Sequence, residues 1–593
     1  LRTQSIRNRL LKFTVLIPAI LALSSGCAVK NEEIIEPAAD VTNETTTGQV
    51  RKLIQREIKG AGNPPRISFG GKFIYASTML PRFYERNNYH PVWSDDKGLL
   101  PQTNAFISII RDADKEGLNP ADYHLPEIHL ALSEIHQHKV VTASNYKTYG
   151  ESLNPYGLSK TDLLLTDALL KYSSHLLNGR IHPEIVDTAW MIRHREMDLT
   201  DVLRSAIETN QIEENLKRLL PENPVYSRLK DALAQYQQIA ERGGWPMVPE
   251  GSKMEKGHRG DRVLALRARL TASGDLSEEY QQGEYSDLFD KNLAEAVRRF
   301  QRRHGLKPDG VVGPSTLAAL NVPVQKRINQ IELNMERWRW IPQNLGRRYI
   351  LVNIANYELY VVEDNRTVLK MRVVVGKPYW NTPVFNAEMT YLVLNPYWNI
   401  PETIFAEEKL PKIKKDPEYF SKDNIKVLTG WSPNAEAIDP STIDWSKVTE
   451  QNFRYRLRQE PGPGNPLGRI KFMFPNPYHV YLHDTSQKHL FNRVDRNLSH
   501  GCIRIEKPYE LAEYVLRSDP SWTPERIRKA INKGTTQSVR LPEPIPVYLL
   551  YFTAWVDDDG TVEFRDDIYQ RDRALEEALR TTPQTFSSAK NAM

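Results

Sequence analysis

Cysteine is almost missing from this chain: its 593 residues contain only Cys27 and Cys502. A framework of several disulfides is thereby excluded. Long apolar runs are also scarce. The stretch from Phe13 to Leu23 is shorter than the roughly 20 apolar residues that a membrane span needs. With 40% hydrophobic and 26% charged residues, the composition excludes a polytopic membrane protein and a wholly disordered chain. Nor is there a large charge surplus. The formal net charge is +5, and it falls to +1 without the four cations Arg2, Arg7, Arg9 and Lys12. So small a basic excess gives no electrostatic case for nucleic acid, which demands a clustered basic face.

Those four cations precede the apolar run, and small residues follow it, which is the order of an export signal over residues 1–26. The string Ser24-Ser25-Gly26-Cys27 resembles the lipobox of bacterial lipoproteins, although Leu23 stands four rather than three places before the cysteine. The resemblance implies lipidation of Cys27, and Ala28 after it implies the outer membrane. Simple cleavage and an uncleaved anchor are the alternatives. Once Cys27 is lipidated or removed, Cys502 is a solitary thiol in an oxidising compartment. There an unpaired thiol is a liability, so its presence points to chemistry; a small buried hydrophobe is the plain alternative.

At this length the chain should divide into several domains, because single cores stop growing at roughly 250 to 300 residues. Residues 27–62, rich in Glu, Thr, Asn and Pro, read as a flexible tether. Residues 63–248 carry helical periodicity, as in Leu163-Leu164-Leu165 with Ala168, Leu169 and Leu170, and read as an α-helical domain. Its His90, His124, His129, His136 and His138 lack metal-ligand spacing and read as surface or satisfied core residues. Residues 254–322 form a smaller helical unit, with stripes Val263, Leu266, Leu270 and Ala294, Val297, Phe300. From residue 345 to 572 the period changes to strands, as in Tyr349-Ile350-Leu351-Val352, giving a mostly antiparallel β domain. Residues 402–469 lose that regularity and read as a long insertion, a candidate lid or substrate clamp, with ordinary surface decoration as the alternative. Residues 573–593 read as a C-terminal tail. The fold class expected is therefore multidomain α+β.

A thiol attacks an amide efficiently only as thiolate, so Cys502 needs a neighbouring base. His500 stands two positions before it and His483 nineteen. If the segments ending at Leu482 and starting at Cys502 are strands, His483 lies at a strand end and can face Cys502 across the sheet. His500 instead falls in the turn leading to the nucleophile. Gly501 lets backbone approach a substrate closely, and the amides of Gly501 and Cys502 are natural oxyanion donors. A zinc site from His483, His500 and Cys502 would lack an acidic or fourth ligand in a recognised motif, so no metal or cofactor is expected.

Two resemblances give these residues a setting. Phe300-Gln301 followed by Asp309-Gly310, Gly313 and Thr316 resembles the three-helix peptidoglycan-binding repeat of cell-wall enzymes. Tyr481-Leu482-His483-Asp484-Thr485, a spacer, then Ser499-His500-Gly501-Cys502 and Arg504 resembles the signature of L,D-transpeptidases, and the text from Pro461 to Asn476 looks like their large periplasmic branch. The resemblance implies a helical scaffold, a peptidoglycan-binding module and a catalytic domain with a capping insertion. It implies Cys502 as nucleophile and His483 as general base and acid, with a backbone carbonyl near Asp484 holding the imidazole. Ser499, His500, Gly501 and Arg504 would shape the nucleophile turn and substrate groove.

The implied reaction is acyl transfer. Cys502 forms a thioester with a tetrapeptide stem and passes it to an amine, giving 3-3 cross-links. The implied partners are peptidoglycan stem peptides and carbapenem inhibitors, with membrane contact only through an N-terminal lipid or signal anchor and a periplasmic location. Two other classes stay open: a carboxypeptidase using the same Cys–His site with water, and a non-catalytic wall-binding scaffold.

Overall fold

The structure, a computed structural model, describes residues 44–581 apart from 63–64, 70–71, 75–77, 144–145, 189, 281–286, 417 and 433, and leaves the side chains of 72–73 and 137–152 aside. The export segment and Cys27 lie outside the described residues. A helical N-terminal region is followed by a β-rich C-terminal domain, as a multidomain α+β protein requires. Among the described residues no helix is long and apolar enough to cross a membrane.

The scaffold region is organised around the helix Pro155–Asn178, whose side chains are buried on nearly every side. Such a helix belongs at a domain centre. Its polar residues are paired: the Tyr84 hydroxyl donates to Asp162 at 2.6 Å and the Trp93 amide donates to the same carboxyl at 2.9 Å. Burial pushes the Asp162 carboxyl up to about 7. His124 meets Asp167 at 2.6 Å within this core, while His90, His129 and His136 are exposed.

Residues 46–60 are a helix, not a flexible tether. Val50, Ile54 and Ile58 recur every fourth residue, and that face is buried with the scaffold core. The polar composition of the segment hid a helical period. Burying each such side chain is worth about 1.5 to 3 kcal/mol. The C-terminal tail is likewise structured in part. Arg571–Thr581 is a helix whose Leu575 is fully buried beside Ile181 and Trp340.

The small helical unit has its own core of Val263, Leu266, Leu270, Leu293, Val297 and Phe300. It is fixed to the β domain by polar and ring contacts. Arg565 donates to the Arg303 carbonyl at 3.1 Å, and the His304 ring stacks on Phe564 at 5.5 Å. The helix Val324–Arg339 then leads into the β domain and buries Ile328, Ile331 and Met335 in that domain's core.

The large sheet has nine strands: β1 (Arg348–Asn353), β2 (Glu358–Glu363), β3 (Arg366–Gly376), β4 (Phe385–Leu394), β5 (Ile470–Met473), β6 (Leu482–His483), β7 (Asn497–Ser499), β8 (Ile503–Ile505) and β9 (Gln537–Leu550). Their order is β7-β3-β8-β6-β5-β4-β9-β1-β2, and β2 pairs back onto β3, so the pairing closes on itself. Most neighbours are antiparallel. The exceptions are β6 with β8, β7 with β3, and β9 with β1. Parallel neighbours need a crossover, and residues 484–502 supply it between β6 and β8.

The capping insertion is more regular than its sequence suggests. Trp398–Asn399, Arg456–Gln459, Ile425–Leu428 and Ala437–Ile438 form a separate four-stranded sheet. Phe405, Ile413, Phe420, Val427 and Leu457 supply its core. These strands run two to four residues, too short for an alternating pattern to be recognised.

Candidate active site

Strand parity places the chemistry. In β6 and β8 the residues Leu482, Ile503 and Ile505 are fully buried in the core. Successive side chains alternate faces, so Tyr481, His483, Cys502 and Arg504 share the opposite face. The parallel register pairs Leu482 with Ile503 and His483 with Arg504, and the Ile503 amide donates to the Tyr481 carbonyl at 3.1 Å. Tyr481 therefore stands beside Cys502, and His483 lies one step further along the neighbouring strand.

The imidazole is held in one tautomer. Nδ1 of His483 lies 2.5 Å from the Asp484 carbonyl oxygen, which can only accept, so Nδ1 carries the proton and Nε2 offers a lone pair. The Asp484 carboxylate is used elsewhere: it accepts from the amides of Arg469 and Thr485 at 2.8 and 2.7 Å and from Lys488 at 2.5 Å. It is not a partner of the ring.

Burial, with the Arg504 charge beside it, drives the His483 ring down to about 3. Burial also pushes the Cys502 thiol up, against hydrogen bonding from Tyr481 and the charges of Lys471 and Arg504. At neutral pH the resting pair is thus thiol and neutral imidazole. Among the described residues no hydrogen bond joins Sγ to His483; the thiol faces the His479 carbonyl at 3.9 Å. Catalytic contacts of this kind often tighten only when substrate binds.

A pH dependence follows. Alkylation of Cys502 by iodoacetamide should be slow near neutrality and should climb with pH through and beyond about 8.5, the ordinary thiol value. Peptide mass spectrometry against time measures this. A rate that stays flat from weakly acidic to neutral pH would instead reveal a preformed thiolate–imidazolium pair.

The turn before Cys502 is pinned from three sides. Ser499 Oγ donates to the Cys502 carbonyl at 2.6 Å and accepts from the Gly501 amide at 3.1 Å. Thr382 Oγ1 donates to the Gly501 carbonyl at 2.9 Å and accepts from the Gly376 amide at 3.0 Å. Tyr569 closes the group by donating to the Gly376 carbonyl at 2.5 Å. Gly501 has φ of +108°, a backbone region that favours glycine. A Cβ on Gly376 would collide with the Trp380 carbonyl oxygen.

The Gly501 amide is spent on Ser499 Oγ, so it is not an open oxyanion donor. The Cys502 amide has no acceptor among the described residues and is the open one.

His500 points to a different neighbour. Its ring lies 3.9 Å from that of Trp380, and its Nε2 is 3.1 Å from the Glu408 carboxylate, without hydrogen-bond alignment. Glu408 belongs to the capping insertion. Arg504 donates to Gln487 at 2.6 Å and also feels the Glu408 charge. The capping insertion therefore reaches the nucleophile turn through Glu408, with the Glu407 charge also acting on His500.

Sequence reasoning missed Tyr481, Lys471, Thr382 and Tyr569. The Lys471 ammonium sits 3.7 Å from the centre of the Tyr481 ring, and Lys471 is the cross-strand partner of His483. Tyr481 was legible from alternation, being two residues before His483. Thr382 and Tyr569 carry no local signal.

A partly exposed thiol, a tautomer-locked imidazole and an open amide on one sheet face define a candidate cysteine acyl-transfer site. Comparison with known proteins gives the class its family. Residues 347–536 match the family model "L,D-transpeptidase catalytic domain", residues 259–320 match "Putative peptidoglycan binding domain" and residues 78–233 match "Scaffold domain". The chain thus combines a scaffold domain, a peptidoglycan-binding module and an L,D-transpeptidase catalytic domain.

A Haemophilus influenzae protein named "Putative L,D-transpeptidase" is 36% identical over 257 residues, which are 43% of this chain and 51% of that protein. The N-acetylmuramoyl-L-alanine amidase CwlM of Mycobacterium tuberculosis is 38% identical over 82 residues, 13% of this chain and 20% of its own. This chain thus spans about half, or less, of the length of these curated relatives. Among solved structures, an L,D-transpeptidase from Xylanimonas cellulosilytica is similar at 16% identity, covering 51% of this chain and 99% of its own, with a TM-score of 0.17. A likeness that slight carries no argument.

Proposed function

We propose that this protein is a peptidoglycan L,D-transpeptidase acting outside the cytoplasmic membrane, with Cys502 as nucleophile and His483 as general base and acid. The observation that carries the reading is the parallel β6–β8 register. It sets Tyr481 and His483 beside Cys502 and Arg504 on one face, with Nδ1 of His483 held by the Asp484 carbonyl.

Each role follows from those positions. As Sγ attacks the stem-peptide carbonyl, its proton passes to Nε2 of His483, the only ring nitrogen left to accept it. The oxyanion is met by the Cys502 amide, with the Tyr481 hydroxyl at the sulfur's flank. The C–N bond to the terminal D-alanine then breaks, and Nε2 returns the proton to the leaving amine. A thioester on Cys502 remains. The amine of a second stem attacks it, gives up its proton to Nε2 and releases the thiol, forming a 3-3 cross-link. Raised thiol and lowered imidazole both favour this route, in which the proton moves during attack and not before it.

Ser499 and Gly501 hold the turn, while His500 and Arg504 line the groove beneath Glu408 of the capping insertion. That insertion serves as a lid over the stem peptide. The match of residues 259–320 to a peptidoglycan-binding model supports wall material as substrate.

The test is incubation of the enzyme with purified tetrapeptide muropeptides, followed by mass spectrometry. Cross-linked dimers with release of D-alanine are expected, together with a carbapenem adduct on Cys502 in the intact mass. Tripeptide monomers without dimers would make the protein a carboxypeptidase. No turnover and no adduct would make it a binding scaffold.

A further inference from the structure

We infer that His182, Glu184 and His194 form a binding site for a divalent transition metal, zinc by preference, on the segment that carries the chain from the scaffold helix to the β domain. Their ligand atoms all lie within 4.8 Å of one another. The two imidazole rings are 5.7 Å apart at 87°, and Nε2 of His194 already touches the Glu184 carboxylate at 2.7 Å. Two imidazoles and one carboxylate, with a side open to solvent, are a donor set for zinc with water in the fourth place. Imidazole nitrogen favours zinc, copper and nickel over magnesium or calcium.

Three observations argue that the set is built and not accidental. First, both histidines stand close to fixed neighbours. Ile181, before His182, is buried and its amide donates to Glu336 at 3.1 Å. Ile192 is buried and its carbonyl accepts from Trp190 at 2.9 Å. Arg195, just after His194, is buried and donates to the Leu176 carbonyl at 3.1 Å. Second, Nε2 of His194 points into the cluster while its Nδ1 is buried without a hydrogen-bond partner. Third, the three residues are distributed on both sides of a loop. His182 and Glu184 are at its start, His194 near its end, so an ion would close the loop on itself.

The consequence would be mechanical. Between the two ends of that loop Asp187 pairs with Arg571 at 3.0 Å and Trp190 packs edge-on against Trp340 at 5.5 Å. Arg571 and Trp340 belong to the β-domain side of the molecule. A metal closing the loop would therefore fix the crossing between scaffold and catalytic regions, far in sequence from Cys502 and independent of its chemistry.

Zinc chloride titrated into the full chain by calorimetry tests this. About one equivalent should bind, and affinity should fall at least tenfold in His182→Ala and in His194→Ala alike, with a smaller loss in Glu184→Gln. Because His182 and Glu184 are exposed, their variants should keep the wild-type circular dichroism, which separates lost ligation from lost folding. Cobalt(II) should give the intense d–d absorption of a tetrahedral site without a thiolate charge-transfer band, and zinc should raise the melting temperature of the wild type only. Zinc affinity unchanged in both histidine variants, or a thiolate charge-transfer band, which would place the ion at a cysteine, would overturn the site.

Discussion

Cys502→Ala should lower cross-linking by at least about four orders of magnitude, since removing a nucleophile removes the covalent route altogether. Folding should survive. Cys502 is partly exposed, and the core beneath it is made by Leu482, Ile503 and Ile505. The turn around it is held by Ser499, Thr382 and Gly376 through backbone groups and hydroxyls that alanine leaves in place. Muropeptide turnover and the melting temperature, measured on the same preparation, separate the two effects. Turnover within tenfold of wild type would remove the nucleophile from Cys502. Cys502→Ser should be nearly as inactive, because a hydroxyl is harder still to deprotonate and the neutral imidazole has less driving force to do it.

Much of this site can be read from the sequence, and the reason is strand parity. Once β6 and β8 are taken as adjacent strands, His483 and Cys502 must share a face and Leu482 and Ile503 must share the other. The same rule extends to Tyr481, whose position two residues before His483 was on view. Lys471 is different. It enters only through the β5–β6 register, which pairs it with His483, and register is a property of the fold. Thr382 and Tyr569 reach the nucleophile turn from 119 and 193 positions away, counted from Gly501 and Gly376 respectively. Nothing local in their sequence marks them.

Elsewhere in the chain, too, local composition hides structure that is set by period and packing. The composition of residues 27–62 as a whole suits a tether, while the helical period of Val50, Ile54 and Ile58 occupies only its second half. The capping insertion looked irregular because its strands are too short to show a period. Of the two amides at the nucleophile turn, one is claimed by a hydroxyl. Ser499 Oγ accepts from the Gly501 amide, a contact set by turn geometry.

His483→Gln should cost about three to four orders of magnitude in turnover near neutral pH, within the upper range for a general base that also serves as acid. The size follows from the protonation states. With the thiol raised by burial and the imidazole down at about 3, almost no thiolate exists at rest, so a base must act during attack. Without it the only remaining route is the rare thiolate, and its population grows with pH. The variant's residual rate should therefore climb steeply on the alkaline side, while the wild type, whose ring stays neutral well into the acid range, should change little between weakly acid and neutral conditions. Steady-state rates across that range decide it. If the variant loses less than tenfold and shows no alkaline recovery, the proton is taken by another group. His500, held against Trp380 and Glu408, would then be the residue to replace next.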